Sequence, residues 1–428
     1  VAAPAPPGGP PNGPREDEDL AHRVADAVGD GLEKARDKLE ELAGLSTDKQ
    51  PRLEQLGMRV FAKRAARHGP GRVDSAAHIL DAEERAEMRR VSRSTILRAA
   101  MIGALAGLGC GIAGWLTLTQ LDATTTFWED VRDFFIVNAA VIAVTAVEVY
   151  FLYRNSLTGV HRLAAAAGIR LVPDRGEDID EERQAVAIAM IRAALELPNP
   201  PDNPFRIDPY REISRWRVVL ATLVYKLKIT LTNFILRLLL RRVAGRVAVH
   251  AWLPFVDVPV TAAWDAAVTW RVLREARIRG LGPSAAEAFA EALLADRGTT
   301  PEHAHALARA AAVGVVRSRD MHPNLGALLA ALARRTGAPG VPDLGDAERF
   351  LTTLDGLDED ARTEVLCVLV VAAFIDGRLA RAERRLYATA MERCGRAPDL
   401  AGLKDLRDAF SRGDELPMAR IQAVAMGE

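Results

Sequence analysis

Between Ala99 and Leu121 the chain carries no charged residue over 23 positions. At about 1.5 Å of rise per residue, such a helix crosses the roughly 30 Å hydrocarbon layer of a bilayer. A second apolar run, Phe134 to Tyr153, is 20 residues long and holds Asn138 and Glu148. A charge at that depth costs about 2.5–3.5 kcal/mol unless it is paired or faces protein, so these two are the intramembrane polar residues to account for. The connector between the runs has Asp122, Glu129, Asp130 and Asp133 against Arg132 alone, whereas Arg89, Arg90, Arg93 and Arg98 precede the first run and Arg154, Arg162 and Arg170 follow the second. By the positive-inside rule this predicts a two-span hairpin over 95–153 with both flanks cytoplasmic, the connector outside, and Trp115 and Trp128 at the outer interface.

Glycine spacing gives the first run a second property. Gly103, Gly107 and Gly111 are four residues apart and share one helix face, a surface to which another helix can approach closely. The expected partner is the second helix of the hairpin, with Glu148 level with Gly107; self-association into a homo-oligomer or channel through the same face is the alternative. The same run matches GxGxxG at Gly109, Gly111 and Gly114, but no strand precedes it and no acidic residue lies at ribose distance, so it is not a dinucleotide site.

The rest of the chain divides by composition. Residues 1–15 are a Pro/Gly/Ala tail with too little apolar surface to fold. Residues 16–94 read as a cytoplasmic helical region, with Leu20, Val24, Val28, Leu32, Leu39 and Leu42 at three- to four-residue steps. Residues 154–280 form a basic membrane-proximal region. Within it, 213–256 has eight basic residues and no acidic one: Arg215, Arg217, Lys226, Lys228, Arg237, Arg241, Arg242 and Arg246. Lys226 and Lys228 break its apolar content into short runs, and two further spans would put Arg241, Arg242 and Arg246 outside. Basic helices lying against the cytoplasmic leaflet, in contact with anionic lipids, are the expectation. Gly280 to Pro283 reads as a break, after which a helical domain occupies 283–428. The predicted class is an all-α membrane protein. Few lysines among 56 basic residues and abundant alanine suit a GC-rich bacterial genome, and the expected location is the bacterial cytoplasmic membrane with both termini cytoplasmic.

Two stretches resemble known families. Ala372-Ala373-Phe374-Ile375-Asp376-Gly377-Arg378-Leu379, followed by Glu383 and Leu386, resembles the helix-turn-helix signature of TerB-like (tellurite-resistance) domains over about 345–415. That likeness implies a link to metal or envelope stress, and it offers Asp376 and Glu383 as candidate metal ligands, fewer than the six or more oxygens a hard cation takes. Leu253-Pro254-Phe255-Val256-Asp257-Val258-Pro259, with Ala262, Ala263, Trp264 and Arg277, is similar to the closing region of the EcsC family over 155–280; no chemistry comes with it. There is also an internal echo. Leu307 to Gly337 lies on Val365 to Gly395 without a gap, placing Met321 on Leu379, Leu328 on Leu386, Arg335 on Arg393 and Gly337 on Gly395, with Ser318 and Arg319 where the second copy has Asp376 and Gly377.

Enzyme chemistry finds little support. His303 and His305 are two apart and point away from each other on a helix. Cys110, Cys367 and Cys394 are too far apart in sequence for a zinc or redox motif, and HExxH, Walker, GxSxG and CxxC motifs are absent. No cofactor is expected. The net charge of −1 gives no basis for a nucleic-acid partner. A membrane-anchored scaffold or regulatory module with a cytoplasmic protein partner is the function the sequence suggests.

Overall fold

The computed structural model describes residues 54–65, 76–120, 127–172, 181–197, 199, 204–205, 207–209, 257–295, 300–337 and 343–427; for 113–120, 127–142 and 182 it describes the backbone only. Among these residues every regular element is a helix. Helix α1 covers 54–65. It is followed by α2 (Ala82–Gln120), α3 (Phe127–Ala166), α4 (Glu181–Ala194) and α5 (Asp257–Leu294). The C-terminal part adds α6 (Pro301–Ser318), α7 (Pro323–Thr336), α8 (Ala347–Asp355), α9 (Glu359–Phe374), α10 (Arg381–Arg393), α11 (Leu400–Arg412) and α12 (Met418–Met426). The basic stretch from Arg215 to Arg246 and the N-terminal tail lie outside the described residues, as do the side chains of Asn138, Trp115 and Trp128.

Helices α2 and α3 run antiparallel. Val144 lies against Gly109, and further down Asn155 Nδ2 donates to the Thr95 carbonyl at 2.9 Å. Among the described residues one helical stretch, Ala82–Ile112, is long and apolar enough to cross a membrane, and a third of its apolar window is buried in protein.

Helix α5 crosses the predicted break at Gly280–Pro283 without interruption, and Pro283 sits inside it. The glycines that read as a turn serve close approach instead. A Cβ on Gly282 would lie 1.9 Å from the Asn324 side chain, and one on Gly280 would lie 2.9 Å from Ile169. A single helix of 38 residues, about 57 Å at the usual rise, thereby joins the α2–α3 hairpin to the C-terminal helices.

The C-terminal helices begin where their caps predict. Thr300 accepts from His303 N–H ahead of Pro301, and Asp358 accepts from Ala361 N–H ahead of α9. Helix α9 is buried at every position from Val365 to Phe374, as a helix apolar on all sides must be. It forms the centre, with Phe374 between Phe289 of α5 and Phe410 of α11 at centroid distances of 5.9 and 5.8 Å. Each such ring contributes roughly 2–3 kcal/mol by leaving water. The base of α2 is held here too. Leu80 N–H donates to Gly413 O at 2.9 Å and Arg85 pairs with Asp414 at 2.7 Å.

The internal echo has a structural counterpart. Shifted by 58 positions, α6–α7 coincides with α9–α10: Arg319 and Gly377 both take left-handed backbone (φ 61° and 70°), and so do Gly337 and Gly395 (63° and 70°). Gly314 packs against Ala372, its own equivalent, where a Cβ would meet the Ala372 methyl at 3.1 Å.

Candidate functional site

The two equivalent turns, 318–323 and 375–380, meet beside α5, and a cluster of charged side chains joins the three. Glu275 of α5 is the hub. Its Oε1 receives Arg279 Nε at 3.0 Å and meets His322 Nε2 at 3.1 Å, while its Oε2 receives Arg378 NH2 at 3.1 Å. Arg279 also donates to the Ala189 carbonyl, and Arg378 reaches Asp320 at 3.2 Å. His322 is fully buried and caps α7 by accepting from Asn324 N–H through Nδ1. Its Nε2 is turned to Glu275. Asn324 Nδ2 bridges the carbonyls of Ile278 and Ile375 at 2.9 and 2.7 Å.

These contacts set the charge states. Burial by itself would raise the Glu275 carboxyl, but His322, Arg279 and Arg378 outweigh it and hold Glu275 well below the usual carboxylate range.

Beyond Arg378 lie the two carboxyls singled out as metal candidates. Asp376 is completely buried, and its Oδ1 accepts from Arg378 N–H at 2.7 Å. Glu383 Oε2 accepts from Ala380 N–H at 2.6 Å, which closes the N-terminus of α10. Their other oxygens, Asp376 Oδ2 and Glu383 Oε1, are buried without a hydrogen-bond partner. Burial raises Asp376, and burial followed by the Asp376 charge raises Glu383 to about 9. At neutral pH Glu383 is thus a neutral acid. Among the described residues no three or more His, Cys, Asp or Glu side chains are arranged to hold a metal. The guanidinium of Arg378 turns from the two carboxyls to Asp320 and Glu275.

A second polar site lies where α2, α3 and α5 meet. The Glu148 and Asp265 carboxyls face each other there. Beside them Thr261 donates to the Gly103 carbonyl at 2.7 Å. A Cβ on Gly103 would lie 2.5 Å from Asp265 Oδ2 and 2.7 Å from Thr261 O. At Gly103 the glycine face therefore receives α5, while the hairpin partner is met by Gly109. Gly107 and Gly111 are buried. Glu148 stands level with Gly103, one turn from the Gly107 level expected.

Glu275, Arg279, Asp320, His322 and Asp265 did not stand out in the sequence. The available signals were an i, i+4 Glu–Arg pair and a lone aspartate on otherwise apolar stretches of α5. His303 lies 3.3 Å from Glu364 of α9, away from His305. The two sites join helices, and they fix α5 near its start, at Thr261 and Asp265, and at its middle, at Glu275. Set against protein-family models, curated proteins and solved structures, the chain has no match.

Proposed function

We propose that the protein is a membrane-anchored scaffold or regulatory module of a bacterial cytoplasmic membrane. In this reading the hairpin 95–153 spans twice, both flanks are cytoplasmic, and the C-terminal helical domain offers its surface to a cytoplasmic protein in envelope or metal stress. One observation carries the reading. Leu97, Met101, Leu105, Leu108 and Ile112 form an exposed apolar stripe along α2, above the exposed Arg89, Arg90, Arg93 and Arg98. A contiguous apolar face with a basic collar at one end is what a lipid-facing helix with a cytoplasmic base presents. The rigid joint around Glu275 supports a structural or regulatory role, and the TerB-like signature at Asp376–Leu379 inclines that role toward stress response. The basic stretch 213–256 is read as a contact for anionic lipids.

Topology reporters test the anchor: fusions at 125 should report outside, and those at 205, 244 and 300 inside. An outside signal at 300 overturns the arrangement. The rival, an oligomeric channel packed through the glycine face, has less support because Gly103 already carries α5. Purified protein in liposomes should show no ion flux above empty vesicles; a flux abolished by Gly107→Leu would establish the channel instead.

A further inference from the structure

Helix α5 belongs by sequence to the polar region after the hairpin, yet its first turns have an outer face like that of α2. Trp264 and Trp270 are 48% and 57% exposed, and Pro259, Ala263 and Ala267 are exposed with them. These positions recur at three- and four-residue steps and so share one face. That face bears no charge until Arg271, which is exposed, and Arg274, which turns inward to the Gly377 carbonyl at 2.9 Å.

The register against α2 fixes its height. Thr261 and Asp265 lie at Gly103, while Leu273 and Thr95 both lie against Gly159 of α3. The two helices therefore run antiparallel, and Trp270 stands level with Arg98, the last basic residue before the uncharged run. Trp264 is six residues nearer the helix start, about 9 Å further along the axis. Asp257 is about 20 Å beyond Trp270 by the same measure. Leu97 and Leu105, 65% and 67% exposed, bracket the same heights on α2.

We propose that residues 257–270 of α5 are inserted in the bilayer beside the α2–α3 hairpin, with acyl chains covering Trp264 and the headgroup layer taking Trp270. This rests on reading α2 as a membrane span. Lipid is the occupant the surface favours, because the apolar face continues that of α2 and both faces end at one level in arginines, Arg98 and Arg271, suited to anionic headgroups. The placement also accounts for Glu148 and Asp265. Asp265 is 6% exposed, turned from the tryptophan face toward Gly103 of α2, and faces Glu148 of α3. Two carboxyls at membrane depth are tolerable when they pair within protein. The membrane-embedded part is then a three-helix unit, and α5 leaves it as the strut that reaches Glu275.

The test uses the full-length protein in anionic proteoliposomes, with Cys110, Cys367 and Cys394 replaced by alanine and single nitroxide-labelled cysteines introduced. Collision with oxygen, which concentrates in lipid, is compared with collision with a water-soluble nickel chelate. Trp264→Cys and Leu105→Cys should both favour oxygen, by at least about tenfold in the collision ratio over Arg385→Cys on exposed α10. Trp270→Cys should fall between. Ala263→Cys and Ala267→Cys repeat the reading with smaller changes should the tryptophan variants misfold. A water-like signal at Trp264, Ala263 and Ala267 with a lipid-like Leu105 overturns the insertion of α5 and leaves the hairpin standing. A water-like Leu105 as well overturns both. Protection from both reagents shows a second protein chain on this face, which also overturns the proposal.

Discussion

The helix pairs α6–α7 and α9–α10 share a backbone and differ in what α5 requires of them. In the first turn the left-handed position is Arg319, exposed and free to carry a side chain; in the second it is Gly377, where a Cβ would lie 2.2 Å from Ile278 of α5. The start of α7 is capped by His322, which also serves Glu275, whereas Ala380 at the start of α10 has no side chain to cap with and relies on Glu383 reaching back. One turn thus supplies the imidazole of the cluster and the other the Arg378 guanidinium and the buried acids. The two turns differ because a single helix, α5, packs against the second at Gly377 and draws on the first through His322.

Glu275 is the residue that ties both turns together, so its loss should matter most. In full-length protein held in detergent, Glu275→Gln leaves the buried Arg279 guanidinium without its carboxylate and should cost about 3–5 kcal/mol. Reaction of Cys367 under denaturant gives the readout, since burial and then the charge of Glu364 push that thiol up to about 12 and it reacts only when the unit opens. A loss below about 1 kcal/mol would mean that the turns hold each other without α5. The sign of the pH effect follows from the lowered Glu275 carboxyl: its stabilisation is complete above the ordinary value of 4.5 and is lost as pH falls below it. The variant should therefore be the less acid-sensitive protein.

Gly377→Ala should come next, with a loss of about 2–4 kcal/mol from the clash with Ile278 added to the cost of a left-handed alanine. Ile278→Ala should recover part of it if the clash dominates. Glu383→Gln tests the buried acid. An unfolded carboxyl ionises above 4.5 while Glu383 keeps its proton to about 9, so the wild type loses stability as pH rises between those values. The variant should be about 1–3 kcal/mol more stable than wild type at pH 8, with the gap closing toward pH 5. Parallel pH profiles would show that Glu383 is ionised in the folded state. Smallest is Arg319→Gly, expected to change stability by less than about 1 kcal/mol at the position equivalent to Gly377; a large loss would remove the asymmetry between the turns.

Much of the local structure was legible. Thr300-Pro301, Asp346, Asp358 and Asp399 mark helix starts, and Gly337, Gly395 and Gly413 mark helix ends, through rules that act within a few residues. The spacing of Asp376, Gly377 and Glu383 likewise picked out the second turn. The first turn was hidden because its backbone is carried by Arg319, a residue with no turn signature. Gly280 and Gly282 misled because glycine signals either a break or a close contact, and only the arrival of Ile169 and Asn324 separates the two.

By itself the sequence determined the helical class and an apolar run long enough to span a membrane, both properties of neighbours along the chain. The tertiary structure alone decided that α5 lies at Gly103, that Asp265 meets Glu148, and that Glu275 gathers His322 and Arg378 from 47 and 103 positions away. Pairings at such separations depend on which faces pack together, and no periodicity in one strand of sequence carries that information.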